Sequence, residues 1–213
     1  MKRLLPSACL LLSMAVLGAL GGCEKKPEPG TESAVPVKRS AFRSIDITGA
    51  EYARNIELPD ADGKTRTLAD FKGRVVVVFF GYTQCPDVCP TTMTELSEVR
   101  RALGADADKL QGVFVTVDPE RDTPPVLKAY VDNFNAGFVG LRGNAEQTKQ
   151  VAKEFKVFYA KVPGRSESTY TIDHTAGAYV FDPQGRIRLF SRHGAGAKAL
   201  EEDIRALLAE RGA

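Results

Sequence analysis

Arg74-Val75-Val76-Val77-Val78-Phe79-Phe80-Gly81-Tyr82-Thr83-Gln84-Cys85-Pro86-Asp87-Val88-Cys89-Pro90 is the stretch that decides the fold. Its first half is an unbroken β-branched and aromatic run with no polar alternation, the pattern of a central strand covered on both faces. Two cysteines, Cys85 and Cys89, follow at once, four positions apart. Beyond them Met93, Leu96, Val99 and Leu103 recur at helical spacing over residues 91–103. Residues 112–117 read as a second buried strand, so this half runs strand, helix, strand.

Working outward, residues 55–58 and 65–68 flank Pro59-Asp60-Ala61-Asp62-Gly63, which predicts a hairpin. Thr123 before Pro124 predicts an N-cap and first turn for a helix through Phe134, and Asn144 caps another running to Phe155. Residues 175–181 and 186–190 form strands around the turn Asp182-Pro183-Gln184-Gly185, followed by a helix over 197–210. This order predicts an α/β, thioredoxin-like fold: a central mixed sheet flanked by helices, with an N-terminal hairpin extension. In that plan the functional turn lies where the first central strand meets its helix, and Cys85 falls there.

A chain of 213 residues with 43% hydrophobic composition suits one domain plus appendages. Lys2 and Arg3 precede an apolar run over residues 4–20, and Leu20-Gly21-Gly22-Cys23 resembles the lipobox of bacterial lipoproteins. The expected organisation is a signal peptide over 1–22, a lipidated Cys23 with a Pro-rich polar tether over 23–41, and a domain over 42–213. An uncleaved anchor helix is the alternative, disfavoured by Gly18, Gly21 and Gly22 crowded at the cut. Either arrangement puts the domain outside the cytoplasm, with a tether reach of roughly 20–40 Å from coil statistics. Losing Lys2 and Arg3 from 29 basic residues leaves 27 against 27 acidic ones, a formally neutral chain. With no basic cluster, nucleic-acid binding is excluded as a function class.

Of four cysteines, Cys9 leaves with the signal and Cys23 is committed to lipid. The pair Cys85 and Cys89 closes too small a loop to serve mainly as a staple. At a helix N-terminus both sulfurs gain thiolate character, which suits metal binding and redox exchange alike. Two thiolates fit Cu(I), and an added imidazole makes a site that also holds Cu(II), whereas closed zinc sites usually take four protein ligands. A third ligand is then His174, His193 or a non-histidine group. His174 stands in Tyr170-Thr171-Ile172-Asp173-His174-Thr175-Ala176, at the start of an expected strand that faces the cysteine turn in this plan. His193, in Ser191-Arg192-His193-Gly194, is expected at the surface.

The cysteine segment 81–90, Val115-Thr116-Val117-Asp118-Pro119-Glu120-Arg121-Asp122-Thr123 and Asp173-His174-Thr175 together resemble, in matching order, the signatures of the Sco (SenC) family over about residues 45–208. That resemblance implies a copper protein, handling Cu(I) and Cu(II), that helps assemble the dinuclear copper centre of cytochrome c oxidase. Cys85, Cys89 and His174 match the family ligands, and Asp118 matches an aspartate close to the metal. Implied partners are the copper-centre subunit of the oxidase and another periplasmic copper chaperone or thiol reductase. The implied location is lipid-anchored at the periplasmic face of the inner membrane. Asp87 and Asp173 are weaker candidates, as helix or turn residues, and Glu120-Arg121-Asp122 is expected to form local ion pairs. The competing function is a thiol-disulfide oxidoreductase that keeps a partner's copper-site cysteines reduced. A peroxidase of the peroxiredoxin type fits less well, because Thr83 stands two residues before Cys85 and Tyr82 occupies the position three before it.

Overall fold

The computed structural model describes residues 41–134, 136–165 and 169–210. The expected signal peptide, the lipidated Cys23 and all of the tether but Ala41 lie outside them. In chain order the elements are β1 (Ile45–Asp46), β2 (Glu57–Pro59), β3 (Thr65–Thr67), β4 (Val75–Gly81), α1 (Val88–Ala102), β5 (Leu110–Thr116) and α2 (Pro124–Asp132). Then follow β6 (Val139–Leu141), α3 (Ala145–Glu154), β7 (Tyr159–Pro163), β8 (Tyr170–His174), β9 (Gly177–Phe181), β10 (Ile187–Arg192) and α4 (Ala197–Ala209).

Six strands form one mixed sheet in the order β1-β10-β9-β4-β5-β6. β4, β5 and β6 run parallel, β9 returns antiparallel beside β4, and β10 runs antiparallel to β9 on its far side. This is the thioredoxin-like arrangement, with the β2–β3 hairpin ahead of it.

All seven residues of β4 are buried, as the unbroken apolar run requires. Alternation sends Phe79 to one face, against Phe114, and Phe80 to the other, against Phe155 and Tyr179. Each such buried side chain contributes about 1.5–3 kcal/mol relative to exposure. A central strand held on both faces gives the cysteine turn a rigid base. Helix α1 buries Cys89, Met93, Leu96 and Val99, and Pro90 fits its first turn, where the missing N–H has no helical partner to lose.

Asn144 caps α3 in a reciprocal box with Gln147, as its position predicts. Thr123 takes the N-cap position of α2 with Pro in the first turn, but its side chain makes no capping bond. One expectation needs correcting: His174 ends β8 rather than starting the strand of the main sheet, which begins at Gly177. Residues 170–174 pair instead with 159–163 in a separate two-stranded ribbon, with Tyr159 opposite His174. Its exposed Thr171 and Asp173 and peripheral place hide it from a core-based reading of hydropathy.

Candidate metal centre

Cys85 sits in the turn between β4 and α1, and Cys89 is the second residue of the helix. The Cys89 N–H donates to Cys85 Sγ at 3.4 Å, so the outer sulfur occupies the place where an unpaired amide of the first turn seeks an acceptor. Cys85 is half-buried and Cys89 is 0% exposed, and both are free thiols.

Their environments push the two groups apart. A hydrogen bond from the Cys89 thiol, helped by the amides of Asp87 and Cys89, pulls Cys85 down to about 5 against the opposing effect of burial. The hydrogen bond to Cys85, followed by burial, pushes Cys89 far above the ordinary thiol range. Cys85 therefore carries the thiolate of the metal-free pair, and Cys89 the proton.

Gly81 makes room for the inner sulfur. A Cβ there would lie 2.8 Å from Cys89 Sγ and 3.0 Å from the rings of Phe79 and Phe114, which are themselves fully buried. The sulfur is thus packed onto the end of β4.

The end of β8 brings in the third group. His174 Nε2 lies 3.4 Å from Cys89 Sγ, and Nδ1 lies 3.1 Å from the carbonyl of Thr175. A carbonyl only accepts, so Nδ1 carries the proton and Nε2 keeps its lone pair for the site. Thr175 is held in turn, its N–H donating to the carbonyl of Phe158 and its hydroxyl accepting from the Phe158 N–H. Phe79 and Tyr82 meet the imidazole edge-on, with ring centres 5.9 and 6.1 Å away. The ligating atoms of Cys85, Cys89 and His174 all lie within 4.8 Å of one another. Bonds of about 2.0–2.3 Å to one three-coordinate ion set the donor atoms roughly 3.5–4.0 Å apart, so the widest pair would draw inward around an ion. A hollow of about 330 Å³ between residues 86–88 and β8 opens onto the group.

The ribbon is latched to the domain by side chains. Ile172 N–H donates to Tyr82 Oη at 3.2 Å, and Arg121 Nη1 donates to the carbonyl of Tyr170 at 2.9 Å. Arg121 also stacks 3.6 Å above the Tyr170 ring. Asp118 is 1% exposed; one carboxylate oxygen accepts from Tyr170 Oη at 2.8 Å and the other from Arg121 Nε. Both oxygens are therefore committed, and Asp118 belongs to the support of β8 rather than to the ligand cluster.

The remaining candidates stay outside the cluster. Asp87 and Asp173 are exposed, the first at the N-cap of α1. His193 lies on the loop after β10, its N–H bonded to the carbonyl of Ala176 and its Nδ1 3.4 Å from Thr92 Oγ1. Of the local ion pairs expected at Glu120-Arg121-Asp122, Arg121 makes one, with Asp118 three residues before it, whereas Glu120 pairs with the distant Lys161 at 2.6 Å. Arg121 is largely buried against Asp118, and Asp122 is wholly buried against Thr83 and Thr116. The sequence signal for this was weak: a polar run directly after a buried strand, with threonines at 83 and 116 to receive it.

With this geometry in place, the SCO1/SenC family model matches residues 46–209. The chain belongs to the SCO1/SenC family. An SCO2-like protein of Rickettsia felis is 40% identical over 133 residues, covering 62% of this chain, which spans 65% of that protein's length. The bovine mitochondrial SCO2 homologue is 33% identical over 92% of this chain and 73% of its own. Among solved structures, copper-bound ScoI of Bradyrhizobium japonicum superposes with a TM-score of 0.66 at 40% identity, covering 72% of this chain and 98% of that one. Copper-bound yeast Sco1 gives 0.67 at 28% identity, covering 74% and 88%. The three resembling motifs thus lie within the matched family region.

Proposed function

We propose that this domain binds one copper ion through Cys85 Sγ, Cys89 Sγ and His174 Nε2 and delivers it during assembly of the dinuclear copper centre of cytochrome c oxidase. The observation that carries the proposal is the convergence of two sulfurs and a lone-pair nitrogen from separate elements, supported by copper in the ScoI and Sco1 structures. Two soft sulfurs serve Cu(I), and the imidazole adds the nitrogen donor that Cu(II) prefers. The half-buried Cys85 faces the hollow, so it is the ligand an incoming partner reaches first and Cys89 the one released last. Asp118 acts at one remove, holding Tyr170 and thereby the strand that presents His174.

Location follows the same reading. The domain is tethered through a lipidated Cys23 to the periplasmic face of the inner membrane and works on the copper-centre subunit of the oxidase. Among the described residues no helix is long and apolar enough to cross a membrane. Titrating the reduced protein with copper and counting bound ions by native mass spectrometry tests the proposal. One ion per chain is expected, and none retained after Cys85→Ser.

A second reading has its own support in the unequal thiols. Cys85, accessible and drawn down to about 5, is suited to attack a partner disulfide. The mixed disulfide would then be resolved by Cys89, leaving the partner with two thiols and this chain with a disulfide. Cellular oxidase assembly separates the two: full assembly with His174→Ala but none with Cys85→Ser would favour thiol chemistry over metal delivery.

A further inference from the structure

Asp122 is a wholly buried carboxylate for which metal delivery and thiol exchange have no direct use. It accepts hydrogen bonds from the Thr83 N–H at 3.1 Å, the Thr83 hydroxyl at 2.6 Å and the Thr116 hydroxyl at 2.5 Å. All three of these donors are uncharged. Removing a carboxylate from water without a counter-ion is costly unless its lone pairs are filled, and here three donors converge on it. Two of those donors belong to Thr83, two residues before Cys85 in the cysteine turn.

The same short loop reaches the other half of the site. Asp122 N–H donates to the carbonyl of Asp118 at 2.9 Å, and the Thr116 hydroxyl oxygen that bonds Asp122 also accepts from the Asp118 N–H at 2.9 Å. Asp118 grips Tyr170 at the start of the ribbon that ends in His174. One loop after β5 therefore holds the cysteine turn with one aspartate and the histidine ribbon with another. The ligands come from elements that do not pair with each other in any sheet, so their relative placement needs such a tie.

Resting on the copper-site reading, we propose that Asp122 is a positioning residue that fixes the Cys85 turn through Thr83, so that the loop 117–123 sets the register between the two cysteines and His174. A hydrogen-bond anchor is enough for this, so the isosteric amide retains most of it.

The test uses Asp122→Ala, Asp122→Asn and Thr83→Val, with Cu(II) and Cu(I) salts as probes and the metal-free thiol–disulfide equilibrium in a glutathione buffer as an independent readout. Asp122→Ala is expected to weaken Cu(II) binding about 10- to 100-fold, as loss of an outer support does, to shift the Cu(II) spectrum, and to move the thiol–disulfide equilibrium. Asp122→Asn is expected to restore the wild-type spectrum, and Thr83→Val to shift it in the same direction as alanine by a smaller amount. A folded Asp122→Ala protein with a wild-type spectrum and equilibrium overturns the proposal, as does an asparagine variant no better than alanine. If Asp122→Ala does not fold, Thr83→Val decides, and wild-type behaviour there overturns it. A wild-type protein that binds no copper would sink the proposed function instead, and the metal-free equilibrium would still decide the role of Asp122.

Discussion

The cysteine turn and the histidine ribbon meet at one site but are built differently. The turn grows from β4, whose residues are all buried, and its inner sulfur is seated against Gly81, which the Phe79 and Phe114 rings also approach. The ribbon stands outside the main sheet, pairs only with itself, and is held by the buried Ile172 and by polar contacts from Tyr82, Arg121 and Asp118. On the proposed function, the two sulfur donors rest on the firm half and the imidazole on the half held by the latch. Local openings are easiest where apolar burial is least, which makes the ribbon the more adjustable half.

Breaking the rigid half has the largest expected effect. Oxidising Cys85 and Cys89 to a disulfide removes both thiolates, so copper binding is expected to vanish, with mass spectrometry of the oxidised protein as the check. Equal retention by oxidised protein would take the sulfurs out of the site. Breaking the ribbon's ligand is more selective. His174→Ala leaves two thiolates that still hold Cu(I), so competition titrations should show Cu(II) binding falling much further than Cu(I) binding.

The third test uses pH to sharpen the difference between the two cysteines. Cys85 has its thiol lowered to about 5, so it is ionised above that pH and protonated below it. Alkylation of the reduced, metal-free protein should therefore be fast and nearly flat from neutral pH down to about 5, then fall about tenfold per further unit. Cys89, held protonated and buried, should stay unmodified in the folded chain. A single titration near 9 for Cys85 would contradict the assigned pairing.

The smallest expected effect comes from loosening the latch. Tyr170→Phe removes one donor from the buried Asp118 while leaving Arg121 in place, a loss of about 1–3 kcal/mol in stability. Hydrogen exchange should then quicken in β7 and β8 and remain unchanged in β4. Uniform quickening would mean that the ribbon is part of the core unit.

The same contrast explains what was legible from sequence. The apolar run of residues 75–80, the helical spacing of Met93, Leu96 and Val99, and the Asn144 cap are local signals, and each appears in the structure where expected. Cys85 and Cys89 were legible as a pair because both lie within one turn. The ribbon was not, since β7 and β8 are short and largely exposed, and so His174 was assigned to the wrong strand although its place opposite the cysteines was right. The burial of Asp122 and Arg121 is not legible, because nothing local reveals that Thr83, Thr116 and Tyr170 fold over them.

The most direct test of the central claim is X-ray absorption at the copper edge of the reduced chain loaded with one equivalent of Cu(II), compared with His174→Ala. Two sulfur scatterers and one imidazole are predicted for the wild type, with the imidazole signal lost in the variant. An imidazole signal that persists without His174, or a wild-type site lacking sulfur, would contradict the account.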